Sequence, residues 1–205
     1  MSLKNLYKKI DATSKTRFTT SRRLNLHAKL STYSIVLLSL LLILISLMQA
    51  YKIGDNISND RVALIQIFSS VMILVYSLLI DKNDYSKVSE KMYSCASKLG
   101  KLKQKLYPYL DFDGNTPDFS SINKDELYEN LKKEYHEILD LYETHSVNDF
   151  KSDYKIAKLE MCDNFPIKWW EHISFRLEIV LMYLINFSAY LLILSSVVYL
   201  FFWIW

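Results

Sequence analysis

The sequence predicts an all-α membrane protein: three transmembrane helices, with a cytoplasmic, helical, coiled-coil-like insert between the second and third. Three observations carry that prediction. Residues 30–51, 62–80 and 179–205 contain no Asp, Glu, Lys or Arg. Residues 81–178, in contrast, are rich in charge and repeat apolar side chains at alternating spacings of four and three. Finally, only three Gly and three Pro occur in 205 residues, which suits long helices and argues against a turn-rich β fold.

The first run, LSTYSIVLLSLLLILISLMQAY, lies between Lys29 and Lys52. Twenty-two residues at the helical rise give about 33 Å, enough for a hydrocarbon core of about 30 Å. It is too long for the apolar region of a cleaved signal peptide. The second run, 62–80, follows the linker KIGDNISND, whose Gly54 and two Asn suit a turn between antiparallel helices. The third run, 179–205, has Trp169 and Trp170 before it and Trp203 and Trp205 at its end, as aromatic anchors at two interfaces would be. Orientation follows from the flanks. Residues 1–29 hold eight Lys or Arg against one acid, Asp11, and the first linker region holds only Lys52 and Arg61. The positive-inside rule then places the N-terminus in the cytoplasm and the linker outside. With three spans the C-terminus is outside, the alternative for 179–205 being an inserted half-helix or an oligomer contact, and the compartment is the cell (inner) membrane.

On this reading the chain divides into a basic cytoplasmic segment (1–29), a transmembrane hairpin (30–80), a cytoplasmic helical bundle (81–168) and a C-terminal transmembrane helix (169–205). In the first segment Leu3, Leu6, Tyr7 and Ile10 follow helical spacing, so part of it is expected to be an amphipathic helix. Its charges suit topology and contact with anionic lipid, each basic residue gaining about 1 kcal/mol at such a surface. Arg17, Arg22 and Arg23 are the candidates for gating, lipid or partner contact.

Polar residues interrupt the spans on one face. Thr32, Ser39 and Ser46 recur every seven residues, with Gln49 extending the face; Gln66, Ser70 and Ser77 share a face in the second run. Such stripes either pack helices in lipid or turn towards water in a pore built from several subunits. No Asp, Glu, Lys, Arg or His lies inside a span, which argues against a proton-coupled pump.

In the insert, Val88, Met92, Cys95, Leu99, Leu102 and Leu106 mark one helical seam. Pro108, Gly114 and Pro117 break the chain after it, and Asn123 with Glu126 forms a capping-box pattern for the next helix. Tyr128, Leu131, Tyr135, Ile138 and Tyr142 form a second seam, and Val147, Phe150, Tyr154, Ala157 and Met161 a third. Tyrosine keeps its hydroxyl near a partner or water, so these faces suit a subunit interface.

Chemistry is scarce. There is no glycine-rich phosphate loop, HExxH, GxSxG or CxxC. The histidines are scattered, and Cys95 and Cys162 read as free thiols of a reducing compartment. Glu134, Glu137, Asp140 and Glu143 read as a solvated face, and His145, Asn148 and Asp149 as a pin at a helix junction. The expectation is therefore no enzyme, no metal and no cofactor. A net charge of +3 is too small to imply direct nucleic-acid binding.

The run TRFTTSRRLNLHAKLSTYSIVLLSLLLIL (16–44) resembles the opening of the SLATT domains, two-helix membrane modules of bacterial conflict systems. Arg17, Arg22, Arg23 and Leu24 match the basic approach, and Leu30 and Ser31 the first membrane-embedded turn. YHEILDLYETHSVNDF (135–150) resembles the subgroup with a helical cytoplasmic insert and an extra C-terminal span, with Thr144 where that subgroup is expected to carry Asn. The resemblance implies a homo-oligomeric, pore-forming or membrane-disrupting effector of anti-phage abortive infection, in contact with membrane lipid. It also implies a cognate sensor enzyme, either a reverse transcriptase or a nucleotide second-messenger synthase. The alternative reading is a membrane-anchored, non-conducting scaffold or receptor that recruits a soluble partner.

Overall fold

The computed structural model describes residues 3–52, 59–110, 124–142, 152–161 and 167–204. Among them every regular element is helical: α1 (Leu3–Ala50), α2 (Asn59–Asn83), α3 (Tyr85–Leu106), α4 (Lys124–Asp140), α5 (Tyr154–Leu159) and α6 (Trp169–Ile204). A single 3-10 turn, Tyr107–Tyr109, follows α3, with Pro108 inside it. The helices divide between two compact units, Met1–Leu24 with Lys87–Met182, and Asn25–Ser86 with Tyr183–Trp205.

Helix α1 runs unbroken through a threonine-rich stretch that has weak intrinsic helix propensity. Packing within the first unit, where Thr16, Thr19 and Thr20 are buried, holds it helical, and the hydroxyls turn back onto the helix. Thr13, Thr16 and Thr19 donate to the carbonyls of Lys9, Ala12 and Lys15, at 2.8–3.0 Å. Each hydroxyl is thereby satisfied by its own helix and stops competing for other backbone partners. The helix ends at Ala50, and Lys52, with φ of 50°, turns the chain out of the helical path. Between α2 and α3 the one non-helical residue is Asp84, with φ of 38°; aspartate is among the few side chains that adopt that left-handed region.

In the first unit, the N-terminal part of α1 packs antiparallel to α3, and α4 packs antiparallel to α3. The pairs Ser14–Ala96, Arg17–Met92 and Ser21–Ser89 run in opposite senses along α1 and α3, as do Ser94–Tyr142 and Lys105–Glu134 along α3 and α4. The core is apolar at one end: Leu6, Tyr7, Ile10, Cys95, Leu99, Leu102, Leu106, Leu131 and Tyr135 form one cluster. Full burial of each such aliphatic side chain stabilises the unit by about 1.5–3 kcal/mol. The residues of the α3 seam from Met92 to Leu106 lie on this buried face. The first turns of α1 belong to the same core, a role their basic composition does not announce. Helix α5 lies along the start of α6, where Lys155 pairs with Glu178, and Lys155 and Lys158 sit 5.5 and 5.4 Å from the Phe175 ring. Lys168 begins α6, its N–H donating to the Glu171 carboxylate at 3.4 Å in half of a capping box.

The second unit contains the remainder of α1, α2 and the second part of α6. Two helices, Leu3–Ala50 and the stretch Ala63–Tyr109, contain windows long and apolar enough to cross a membrane. Their apolar side chains are largely open: Leu40, Leu64, Ile67 and Leu78 are all more than half exposed. Exposed apolar helices of this length are what a lipid environment stabilises, because a helix satisfies its own backbone hydrogen bonds there.

Candidate functional site

Two groups of polar side chains stand out, one in each unit. In the first unit, α1 carries Ile10, Ser14, Arg17 and Ser21 towards α3 at spacings of four and three, so the seam that starts apolar turns polar for three successive positions. Ser14 Oγ donates to the Ala96 carbonyl at 2.9 Å, and Ser89 Oγ donates to the Ser21 carbonyl at 2.8 Å. Beyond them, Arg23 Nε and Nη2 donate to the Asp153 carboxylate at 3.0–3.2 Å, and Thr20 Oγ1 donates to the same carboxylate at 2.9 Å. Asp153 is fully buried and Arg23 nearly so. A bidentate guanidinium–carboxylate pair with a third donor is the geometry that best offsets the desolvation of both ions. At the apolar end, Asp11 is also buried and accepts from Lys103 Nζ at 2.6 Å.

Burial and neighbouring groups shift four titratable side chains of this unit. Burial pushes the Cys95 thiol up, against the opposing pull of Arg17 and Lys98. Burial also pushes the Tyr135 hydroxyl up, although its hydrogen bond with Thr13, at 3.1 Å, works the other way. For Lys103 burial is the largest influence and acts downwards, but the bond and charge of Asp11, aided by Tyr7, outweigh it and leave the ammonium raised. At the surface, Ser94 and Lys98 pull the Tyr142 hydroxyl down.

In the second unit, Gln66 of α2 donates to Ser46 Oγ at 3.2 Å and to Gln49 Oε1 at 3.5 Å, tying α2 to α1. Interhelical amide and hydroxyl bonds of this kind contribute about 0.6–2 kcal/mol in lipid. A second tie joins α1 to α6. The Tyr190 hydroxyl lies 2.8 Å from Ser31 Oγ and 3.3 Å from His27 Nδ1, and the His27 ring stacks on Phe187 with centroids 4.3 Å apart. Beside this tie is an apolar groove of about 410 Å³ lined by residues that include Leu26, Leu30, Tyr33, Leu37, Phe187 and Leu191.

The structure therefore sorts the residues that the sequence singles out. Ser46, Gln49 and Gln66 come together. Thr32 and Ser70 donate to their own helices, at the Ala28 and Ile67 carbonyls, and both are exposed. Ser39 is half-buried and Ser77 exposed. Arg17 and Arg23 lie inside the first unit, with Arg22 exposed on the same helix. His145, Asn148, Asp149 and Cys162 lie outside the described residues. Glu134 and Glu137 pair with Lys105 and Lys133 on an open face, as a solvated helix surface does. Asp11, His27, Asp153 and Tyr190 carry structural roles that spacing did not single out. Asp11 had one available signal: it is the only acid among the first 29 residues. Among the described residues no group of three His, Cys, Asp or Glu is placed to hold a metal ion.

These features define an all-helical membrane protein with two long apolar helices and a charged helical unit. Residues 1–203 match the SMODS and SLOG-associating 2TM effector domain family 5, and the chain belongs to that family. The family name describes a two-transmembrane effector domain that accompanies SMODS and SLOG sensor-type proteins in defence systems. Neither the curated proteins nor the solved structures contain a match to the chain.

Proposed function

We propose that the chain is a pore-forming or membrane-disrupting effector of a bacterial anti-phage system, opened by an upstream sensor and acting as a homo-oligomer. The observation that carries this reading is the exposure, on otherwise apolar membrane helices, of Thr32, Ser70 and Ser77, with Ser39 half-exposed. Hydroxyls exposed on a single chain, even where they bond back to their own helix as Thr32 and Ser70 do, favour a second copy or water over lipid tails. The Ser46–Gln49–Gln66 cluster has the packing role and holds the hairpin while the other hydroxyls change partners. The family's defence association supports the effector role.

In this reading α6 supplies a third span from residue 179 onwards, the N-terminus and the first unit are cytoplasmic, and the C-terminus is outside. The domain divisions stay at residues 29, 80 and 168. The first unit receives the trigger, and Arg22, exposed on α1, faces anionic lipid or the partner. His145, Asn148 and Asp149 mark the junction that precedes α5. A trigger that moves the assembly from 1:99 to 99:1 in favour of the open form must prefer that form about 10⁴-fold.

The test is membrane potential, followed with a voltage-sensitive dye during induction of the chain with its neighbouring genes and phage present. Depolarisation before growth arrest is the expected result. A normal potential at confirmed membrane expression, together with capture of a soluble protein by the chain, would replace the pore by the scaffold reading.

A further inference from the structure

Arg17 sits in the α1–α3 seam with its charge unmatched. The side chain is 2% exposed. Its Nη1 donates to the Met92 thioether sulfur at 2.7 Å, and its Nε has no hydrogen-bond partner. Other cations of this unit are matched: Arg23 has Asp153 and Lys103 has Asp11. Among the described residues no carboxylate pairs with Arg17. Arg17 acts on the Cys95 thiol and the Tyr135 hydroxyl, both of which burial pushes up towards their neutral forms.

A buried lysine or histidine escapes such a position by losing its proton. A guanidinium does not. The closed unit therefore bears the full desolvation of a cation that a thioether compensates poorly, and the penalty disappears once water reaches the seam. The neighbouring contacts are just as exchangeable. Ser14 with Ala96, and Ser21 with Ser89, are neutral hydrogen bonds that water replaces at small net cost. On one side of this stretch lies the apolar cluster of Ile10, Leu99 and Leu102, which water cannot replace.

We propose that Arg17 is a release element: it holds the closed first unit close in free energy to a form in which α1 and α3 part between Ser14 and Ser21, hinged on the apolar cluster. Its biological meaning rests on the effector reading above, since a poised unit responds to a modest trigger. The energetic claim stands on the geometry alone.

The full chain in lipid nanodiscs tests it, with Arg17→Met as a variant of similar length and no charge, and Arg17→Gln as a second neutral variant should methionine fit badly. Removing the unpaired charge is expected to raise the melting midpoint by about 4–8 °C and to slow amide exchange in residues 13–24 and 89–96 about tenfold or more. Depolarisation by the triggered system should be delayed to match. Faster exchange or a lower midpoint in both variants would overturn the proposal. So would stabilisation of the wild type by added inorganic phosphate that is lost in Arg17→Met, because Arg17 would then be an anion receptor. Slower exchange in the variants of a protein that never depolarises a membrane would uphold the release element and remove the pore reading instead.

Discussion

Asp153 accepts hydrogen bonds from Arg23 and Thr20 at zero exposure, so neutralising it leaves a buried guanidinium behind. Asp153→Asn is expected to lower the stability of the first unit by about 3–5 kcal/mol, measured by thermal or denaturant unfolding of the purified protein. Replacing both partners with apolar side chains, Arg23→Met with Asp153→Leu, should recover most of that loss, which a simple loss of packing would not allow. A second consequence concerns alkali. Cys95, Tyr135 and Lys103 all have folded-state values above their ordinary ones. Groups shifted upwards contribute their stability in full below the unfolded value and lose it as pH rises towards the folded one. The first loss therefore begins near the thiol's ordinary value of 9.0. The melting midpoint should fall from about pH 9 upwards, and Cys95→Ala should flatten the earliest part of that fall. At this scale the sequence was least informative. Asp153 and Asp11 look like any surface acid, because what buries them is a partner 130 and 92 residues away in the chain.

The elements were more legible, up to a physical limit. Periodicity marks α3 well because its buried face is written in Met, Cys and Leu. The same heptad continues along α1 past Ile10, but in Ser14, Arg17 and Ser21, and hydrophobic periodicity cannot register a seam written in polar residues. The stop of α1 shows a similar limit. Gly54 is the obvious breaker in the sequence, yet the helix ends at Ala50 and the left-handed turn residue after it is Lys52, with φ of 50°. An L-residue in that region is disfavoured by about 1–2 kcal/mol relative to the right-handed one. Lys52→Gly should accordingly stabilise the hairpin by about 0.5–1 kcal/mol in a denaturation series in micelles.

At the scale of the whole molecule, composition was enough to find the apolar runs, because the bilayer imposes length and the absence of charge on any helix that crosses it. It did not reveal that the basic segment belongs to the same compact unit as α3 and α4. Which polar groups meet is likewise a matter of helix rotation, which spacing constrains only loosely; Gln66 meets Ser46 and Gln49, but Ser77 does not join them. If the open hydroxyls serve conduction, Ser39→Leu combined with Ser77→Leu should abolish depolarisation while leaving membrane insertion intact, as read by dye response and membrane fractionation. Undiminished depolarisation in that double variant would move the conducting path to another face.

The long separation between Arg23 and Asp153 also sets an order of events during synthesis. At about 5–20 residues per second, Asp153 emerges roughly 6–26 s after Arg23. Throughout that interval Arg23 has no buried partner to claim it, and in the proposed orientation it is available to hold the first apolar helix the right way round in the membrane. Once α5 is made, the arginine that oriented the helix is withdrawn from the surface. The same charge thus acts first as a topological signal and then as a structural one, separated in time by the length of the chain between them.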